Sequence, residues 1–323
     1  MKLTSILAGV AIAASAVAAQ ATELKFANFT PPFHTINASV IEKLNADLSA
    51  ATGGAVTVRG YHGGELGAGP VEQYVRVVQG VADLGWGLPG YTSSQFQKTM
   101  IVELPNAIPL DARGDEALWR AWDEISGEFP GTHAVALWTS EPNIFIMKDK
   151  VIRTPADMAG LKVRVAGATA AQVAEALGAT PVQMPINQVY NALQTGLIDG
   201  VITGASTLSD FKLDEVASSY TLGANLGRLA FFTVMNQGAY DALTDEQKAA
   251  LDGMRADVSA SAETSWNATA DAALDVARAD SGNTVVDLTE EEAQAFADAV
   301  SDVVNAYVAS VGGEAALAAM QGQ

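Results

Sequence analysis

The chain of 323 residues has no cysteine, and this one absence excludes disulfides, thiolate metal sites and an acyl-anchoring cysteine behind a leader peptide. Histidine is almost as scarce. His34, His62 and His133 are the whole set, and none has a second histidine two to four positions away, so no zinc site and no cofactor-bearing cluster is expected. Positive charge is short too: 18 Lys and Arg face 37 Asp and Glu, a net charge of -19, without a basic cluster. Such a chain repels phosphate backbones and anionic lipid surfaces, which excludes nucleic acid as a partner. Beyond the first 21 residues no stretch reaches about 18 uninterrupted apolar residues, so direct membrane insertion is not expected.

What is present begins with a leader. Lys2, an apolar run from Ile6 to Ala19 and the triplet Ala19-Gln20-Ala21 read as a Sec signal peptide cleaved after Ala21, with no twin arginine. The mature chain is thus expected to be an exported protein of the bacterial periplasm. Its roughly 300 residues exceed the usual size of one core and predict two domains.

Short apolar runs alternate with helical patterns, which predicts an α/β fold. Leu24 to Phe29, Val56 to Gly60 and Ala82 to Trp86 read as strands, with helices over Asn37 to Ala51 and Val71 to Gln79. A second unit repeats the rhythm. Thr154-Pro155-Ala156-Asp157 opens a short helix, Leu161 to Val165, Thr180 to Met184 and Gly200 to Thr203 are strands, and Ala170 to Leu177 and Asn187 to Thr195 are helices. The last third is helical. A capping box at Thr244-Asp245-Glu246-Gln247 starts an Ala-rich pattern that runs to about Ala279, roughly 50 Å if continuous, long enough to cross two domains. A second box, Thr289 to Glu292, opens a final helix expected to end at Gly312-Gly313. The expected division is residues 22–140 with about 233–262 in one domain and 141–232 with about 263–323 in the other, joined by crossing strands that hinge.

Motifs of catalysis are missing. Gly85-Trp86-Gly87-Leu88-Pro89-Gly90 formally matches a dinucleotide fingerprint, but Pro89 removes an N–H from the turn and Trp86 crowds the approach of a pyrophosphate. No Gly-x-Ser-x-Gly elbow or phosphate loop occurs, and the acidic pairs Asp245-Glu246 and Glu290-Glu291 sit at helix starts, where the macrodipole accounts for them.

Among nine arginines, Arg164 stands apart, because Val163-Arg164-Val165 places it inside an apolar strand, at the end where open α/β sheets put their ligand crevice. A guanidinium removed from water requires an anion, and on the pattern alone a carboxylate of the chain itself and the carboxylate of a small organic acid both fit. Arg228, just before the strand Leu229 to Met235, is the second candidate. Trp86, Tyr91, Trp138 and Phe231, with Phe145 and Phe232, fall near strand ends where rings could wall a cleft, and Asn28, His34, Asn143 and Thr203 could add hydrogen bonds.

Leu177-Gly178-Ala179-Thr180-Pro181 and Tyr190 to Gly200 (YNALQTGLIDG), with Arg164 ahead of them, resemble the solute-binding proteins of tripartite ATP-independent periplasmic (TRAP) transporters, DctP type. Thr52-Gly53-Gly54-Ala55-Val56, Gly64-Glu65-Leu66-Gly67, Gln79-Gly80-Val81-Ala82-Asp83 and Glu103-Leu104-Pro105 extend the resemblance through most of the chain. It implies a two-domain periplasmic binding-protein clamp, type II-like, with a long helix crossing both domains. It further implies that Arg164 pairs with a substrate carboxylate and that closure delivers the acid to integral-membrane TRAP subunits. Where the family often shows a ligand-binding asparagine, this chain has Thr203-Gly204. That shorter pair, with Trp86, Trp138 and Phe231, favours an aromatic or bulky monocarboxylate over sialic acid or a C4-dicarboxylate. A receptor for an ATP-driven importer and a periplasmic enzyme acting on an organic acid are the competing readings.

Overall fold

A computed structural model describes residues 21–323; the expected leader, residues 1–20, lies outside the described residues. Among the described residues eleven strands form two sheets. They are β1 (Thr22–Ala27), β2 (Val56–Tyr61), β3 (Leu84–Gly87), β4 (Thr132–Thr139), β5 (Ile144–Met147), β6 (Lys162–Val165), β7 (Thr180–Gln183), β8 (Gly200–Thr203), β9 (Ser219–Leu222), β10 (Ala230–Asn236) and β11 (Thr284–Asp287). One sheet runs β2-β1-β3-β10-β4 and the other β11-β9-β5-β8-β6-β7. Each is parallel except around one reversed strand: β10 runs antiparallel to β3 and β4, and β5 antiparallel to β8 and β9. These reversals mark where the chain has crossed from one lobe to the other, between β4 and β5 and again between β9 and β10.

Burial follows the pattern that each strand's place demands. β1, one place in from the sheet edge, alternates with Leu24 and Phe26 inward, whereas β10, covered on both faces, is buried through Ala230 to Met235. In β6, Val163 and Val165 enter the core on one face, and Arg164 therefore points from the other.

The third link between the lobes is the helix Arg255–Ala279. Val258, Ala262 and Trp266 pack in the core of the first sheet, while Ala270, Ala273 and Ala277 pack in that of the second. Small alanines let this half of the helix lie close to its neighbours. The long Ala-rich pattern is not one rod, however: Asp245–Gly253 and Arg255–Ala279 are separate helices that meet at Met254. The crossing helix has 25 residues, about 37 Å, and glycine just before the break relaxes the preceding turn. The C-terminal pattern breaks likewise at Val300, giving Glu290–Ala299 and Ser301–Val311, and a further helix, Glu314–Met320, follows Gly312-Gly313.

The first strand stops at Ala27, short of Phe29, because the Asn28 side chain turns the chain. Its Oδ1 accepts the Thr30 N–H at 3.0 Å and the Thr30 hydroxyl at 2.8 Å. The glycine-rich segment after β3 opens into a short turn, Pro89–Thr92, not a nucleotide-binding helix. Its last glycine has another use. A Cβ on Gly167 would stand 2.6 Å from the Cα of Gly90, so paired glycines let the turn after β3 touch the turn after β6 across the lobe junction.

Candidate ligand-binding site

Between the sheets lies a small chamber lined by residues of both sheets' lobes. Its apolar wall comes chiefly from Phe29, Trp86, Leu88, Phe211, Phe231 and Trp266, and its polar groups include Arg164, Tyr91, His34, Thr203, Ser206 and Asp210, with Ser140 and Thr207. The rings support one another. Phe29 stacks on Trp86 at 4.6 Å between centroids, Trp138 stacks on Phe231 at 5.4 Å, and Trp266 meets Phe231 at 5.4 Å.

Arg164 is 1% exposed. Its Nε donates to the Met184 carbonyl at 2.9 Å, while one terminal nitrogen, Nη1, is buried without a hydrogen-bond partner. Burial pushes the guanidinium's pKa down, and the group beside it is the Tyr91 hydroxyl, not a carboxylate. Burial raises Tyr91 in turn, with Arg164 pulling against that shift, and its oxygen accepts the Ile186 N–H at 3.1 Å. A buried cation joined only to a carbonyl and a phenol presents an unfilled donor to the chamber.

His34 is buried, and burial lowers its pKa to about 3, so the ring is neutral. Its Nδ1 accepts the Ile36 N–H at 3.1 Å, which puts the ring proton on Nε2, 3.6 Å from Asp210 Oδ2. The pair is close enough to be drawn as an ion pair, yet the histidine's depressed pKa argues for a neutral ring, and the burial of both groups favours that reading.

Of the residues singled out in the sequence, Arg164, Thr203, Trp86, Phe231, His34 and Tyr91 line the chamber. The other four stand elsewhere. Asn28 lies behind Trp86, whose Nε1 donates to it at 2.9 Å, and it also bonds Asn37 at 3.0 Å. Trp138 backs the ring wall at 0% exposure, one layer removed. The Asn143 N–H donates to the Gly227 carbonyl at 2.8 Å, tying together the two strand crossings. Arg228 gives its guanidinium to the carbonyls of Ala112 and Leu110 at 3.0 and 2.9 Å, with Pro109 at 3.3 Å, which makes it a clamp on a loop. Phe145 and Phe232 belong to the core.

Phe29, Phe211, Trp266, Leu88 and Asp210 were not singled out, since each reads as core or helix cap in its own segment. Buried carboxyls away from Arg164 were not foreseen as such. Glu141 accepts the Ser206 N–H at 2.7 Å, Glu103 the Thr169 hydroxyl at 2.6 Å, and Glu263 the N–H groups of Gly114 and Asp115 at 2.8 and 2.7 Å. Burial raises Glu103 and Glu141 to about 7. Gly204 lies over Glu141, and a Cβ there would overlap that carboxyl, which is why the position after Thr203 carries no side chain. Among the described residues no cluster of three or more His, Asp or Glu could hold a metal ion.

Two α/β lobes, joined by crossing strands and a helix around an enclosed ring-walled chamber, define a solute-binding clamp. Residues 26–310 match the DctP family, described as bacterial extracellular solute-binding protein, family 7, and the chain belongs to it. A curated relative is the ectoine-binding periplasmic protein TeaA of Halomonas elongata, 26% identical over 79% of this chain and 76% of its own length. Among solved structures, a TRAP solute-binding protein from Rhodoferax ferrireducens T118 with copurified benzoate superposes with a TM-score of 0.84, at 26% identity over 93% of this chain and 96% of that one. A TRAP periplasmic solute-binding protein from Bordetella bronchiseptica, with (R)- and (S)-mandelate bound, gives 0.84 at 25% identity over 93% and 97%. The expected TRAP solute-binding clamp of the DctP type is therefore the observed one, and the ATP-driven importer reading falls away.

Proposed function

We propose that this protein captures a small aromatic monocarboxylate in the bacterial periplasm and delivers it to the integral-membrane subunits of a TRAP transporter. The single observation that carries the reading is Arg164, buried, without a carboxylate partner and with Nη1 free, set in a wall of aromatic rings. A ligand carboxylate completes the guanidinium fork, and the rings of Trp86, Phe231 and Trp266 sandwich the apolar part. The benzoate and mandelate held by the two structural neighbours support this substrate class.

The leader is cleaved after Ala21. Residues 22–140 with about 233–262, and 141–232 with about 263–323, act as the two closing lobes, with Tyr91 meeting Arg164 and Ile186 across the gap. Thr203 serves the carboxylate as a second polar contact. No bond is made or broken: the acid leaves as it entered, which sets this protein apart from an enzyme on the same substrate.

A thermal-shift screen of the mature protein tests this against benzoate, mandelate, glucuronate, succinate and ectoine. Stabilisation by the aryl acids, absent in Arg164→Ala, is the expected result. Stabilisation by glucuronate, succinate or ectoine with none by the aryl acids would replace the substrate class, and unchanged binding by Arg164→Ala would remove the anchor. Conversion of the acid during the incubation would restore the enzyme reading.

A further inference from the structure

Arg164 leaves one end of the chamber's chemistry unexplained. Asp210 also lines the chamber, at 5% exposure, on the short helix that follows β8. Its Oδ1 accepts the Thr35 N–H at 3.1 Å, with the Thr35 hydroxyl beside the carboxyl and shared with Thr269 at 2.8 Å, but Oδ2 is buried with no hydrogen-bond partner, and His34 Nε2, 3.6 Å away, is beyond hydrogen-bond reach. Arg164 does not serve it, since the surroundings of the guanidinium include Tyr91 and no aspartate. Nor does Trp86, whose N–H is taken by Asn28, or Thr207, whose hydroxyl donates to the Gly204 carbonyl at 2.7 Å. Behind Gly204 the Glu141 Oε2 is also buried without a partner, and burial together with the charge of Asp210 raises that carboxyl, so this side of the chamber carries the carboxyls and the Arg164 side the fixed donors.

A buried acceptor without a donor costs about as much as a lost hydrogen bond, and a ligand that brings the donor recovers it. We propose that Asp210 reads a hydrogen-bond donor on the ligand, remote from the carboxylate held by Arg164, so that the preferred solute is a ring acid bearing a hydroxyl or amino substituent. This rests on Arg164 as the carboxylate anchor and extends it to a two-point readout. His34 completes the pole with its Nε2–H, which steers an incoming hydroxyl oxygen while Asp210 accepts that hydroxyl's proton in a hydrogen bond. Burial raises Asp210 to about 6, so near pH 7.5 it is the ionised acceptor that a donor requires.

Isothermal titration at pH 7.5 of the mature protein, Asp210→Ala and Asp210→Asn against benzoate, 3- and 4-hydroxybenzoate and 3-aminobenzoate tests the proposal. In the wild type at least one substituted acid should bind about tenfold tighter than benzoate, and in Asp210→Ala the ratio should fall to within about twofold. A merely structural role for Asp210, through Thr35, would weaken all the acids equally and leave the ratio intact, which overturns the proposal. So would equal binding of benzoate and every substituted acid by the wild type. Asp210→Asn keeps an acceptor for Thr35 and supplies a folded comparison if the alanine variant unfolds; its ratio should drop to an intermediate value, and an undiminished ratio counts against the idea. Hydroxy and amino arms separate the two donor types. Loss of every acid in wild-type protein, benzoate included, would instead sink the anchoring reading and this inference with it.

Discussion

Two arginines of this chain are buried to nearly the same degree, Arg164 at 1% exposure and Arg228 at 5%, and both stand at strand ends beside the lobe junction. Burial lowers the pKa of both. Their partners differ. Arg228 is held by the carbonyls of Pro109, Leu110 and Ala112, so that its charge closes a loop, whereas Arg164 reaches a single carbonyl and keeps a buried nitrogen free. Residue type, burial and fold position thus fail to separate a structural cation from a binding one; the count of filled donors does.

The largest expected effect falls on Arg164. Arg164→Ala should weaken acid binding by about 3–5 kcal/mol, two to three orders of magnitude or more in Kd by titration, with little change in the melting temperature of the unliganded protein. Arg164→Lys keeps the charge but loses the planar fork, and should bind far closer to the alanine variant than to the wild type. Arg228→Met should do the reverse. It strands buried carbonyls of the Pro109–Ala112 loop and should cost about 3 kcal/mol of unfolding free energy in urea, while protein that remains folded binds the acid within a few-fold of normal. If Arg228→Met abolished binding without loss of stability, the distinction between the two would collapse.

Sequence pattern exposes this contrast only halfway. A charge inside Val163-Arg164-Val165 is visible because a strand of period two leaves it no polar neighbours, and the α/β rhythm follows from short apolar runs between capped helices. Partner accounting is not visible, because the carbonyls that hold Arg228 come from residues more than a hundred positions away, and so does the chamber wall. Trp266 sits in an Ala-rich helical pattern and reads as core until the crossing helix brings it under Phe231. Asp210 ends a four-residue helix and reads as a turn residue. Glu103, Glu141 and Glu263 are the hardest to foresee, since acidic residues in a chain of net charge -19 are expected at the surface, and only tertiary donors such as the Gly114 and Asp115 N–H groups make their burial tolerable. The helix breaks at Met254 and Val300 involve no proline, and only Gly253 hints at the first.

The structural side of the comparison also titrates. Glu103 touches Arg228 through its backbone, its carbonyl accepting the Arg228 N–H at 3.3 Å, and its buried carboxyl is raised from 4.5 to about 7. A raised carboxyl holds its proton more tightly folded than unfolded, so between about pH 4.5 and 7 the native state binds more protons and stability falls as pH rises. Glu141, raised to about 7, and Asp210, raised to about 6, act in the same direction, while His34, lowered to about 3, opposes them. The melting temperature should therefore decline from pH 5 to 7.5, and Glu103→Gln should flatten that decline. An identical slope in the variant would mean that Glu103 ionises in the folded protein as easily as in water.

The smallest and most discriminating test is Tyr91→Phe. The hydroxyl is a polar neighbour of Arg164 that comes from the opposite lobe, and it also accepts the Ile186 N–H at 3.1 Å. Two contacts of different kind meet on one oxygen: one links the lobes, the other keeps the buried guanidinium company. Removing the oxygen leaves the ring in the wall and the charge on Arg164, so the loss should be modest, about 1 kcal/mol or some five-fold in Kd. Its kinetic signature matters more than its size. If Tyr91 chiefly latches the closed lobes, the variant should release the acid faster with an unaltered association rate in stopped-flow fluorescence of the wall tryptophans. If it chiefly orients Arg164 before closure, association should slow instead. The first result would place the difference between Arg164 and Arg228 in closure itself: one arginine is completed by the ligand and the closing lobe together, the other by its own loop from the start.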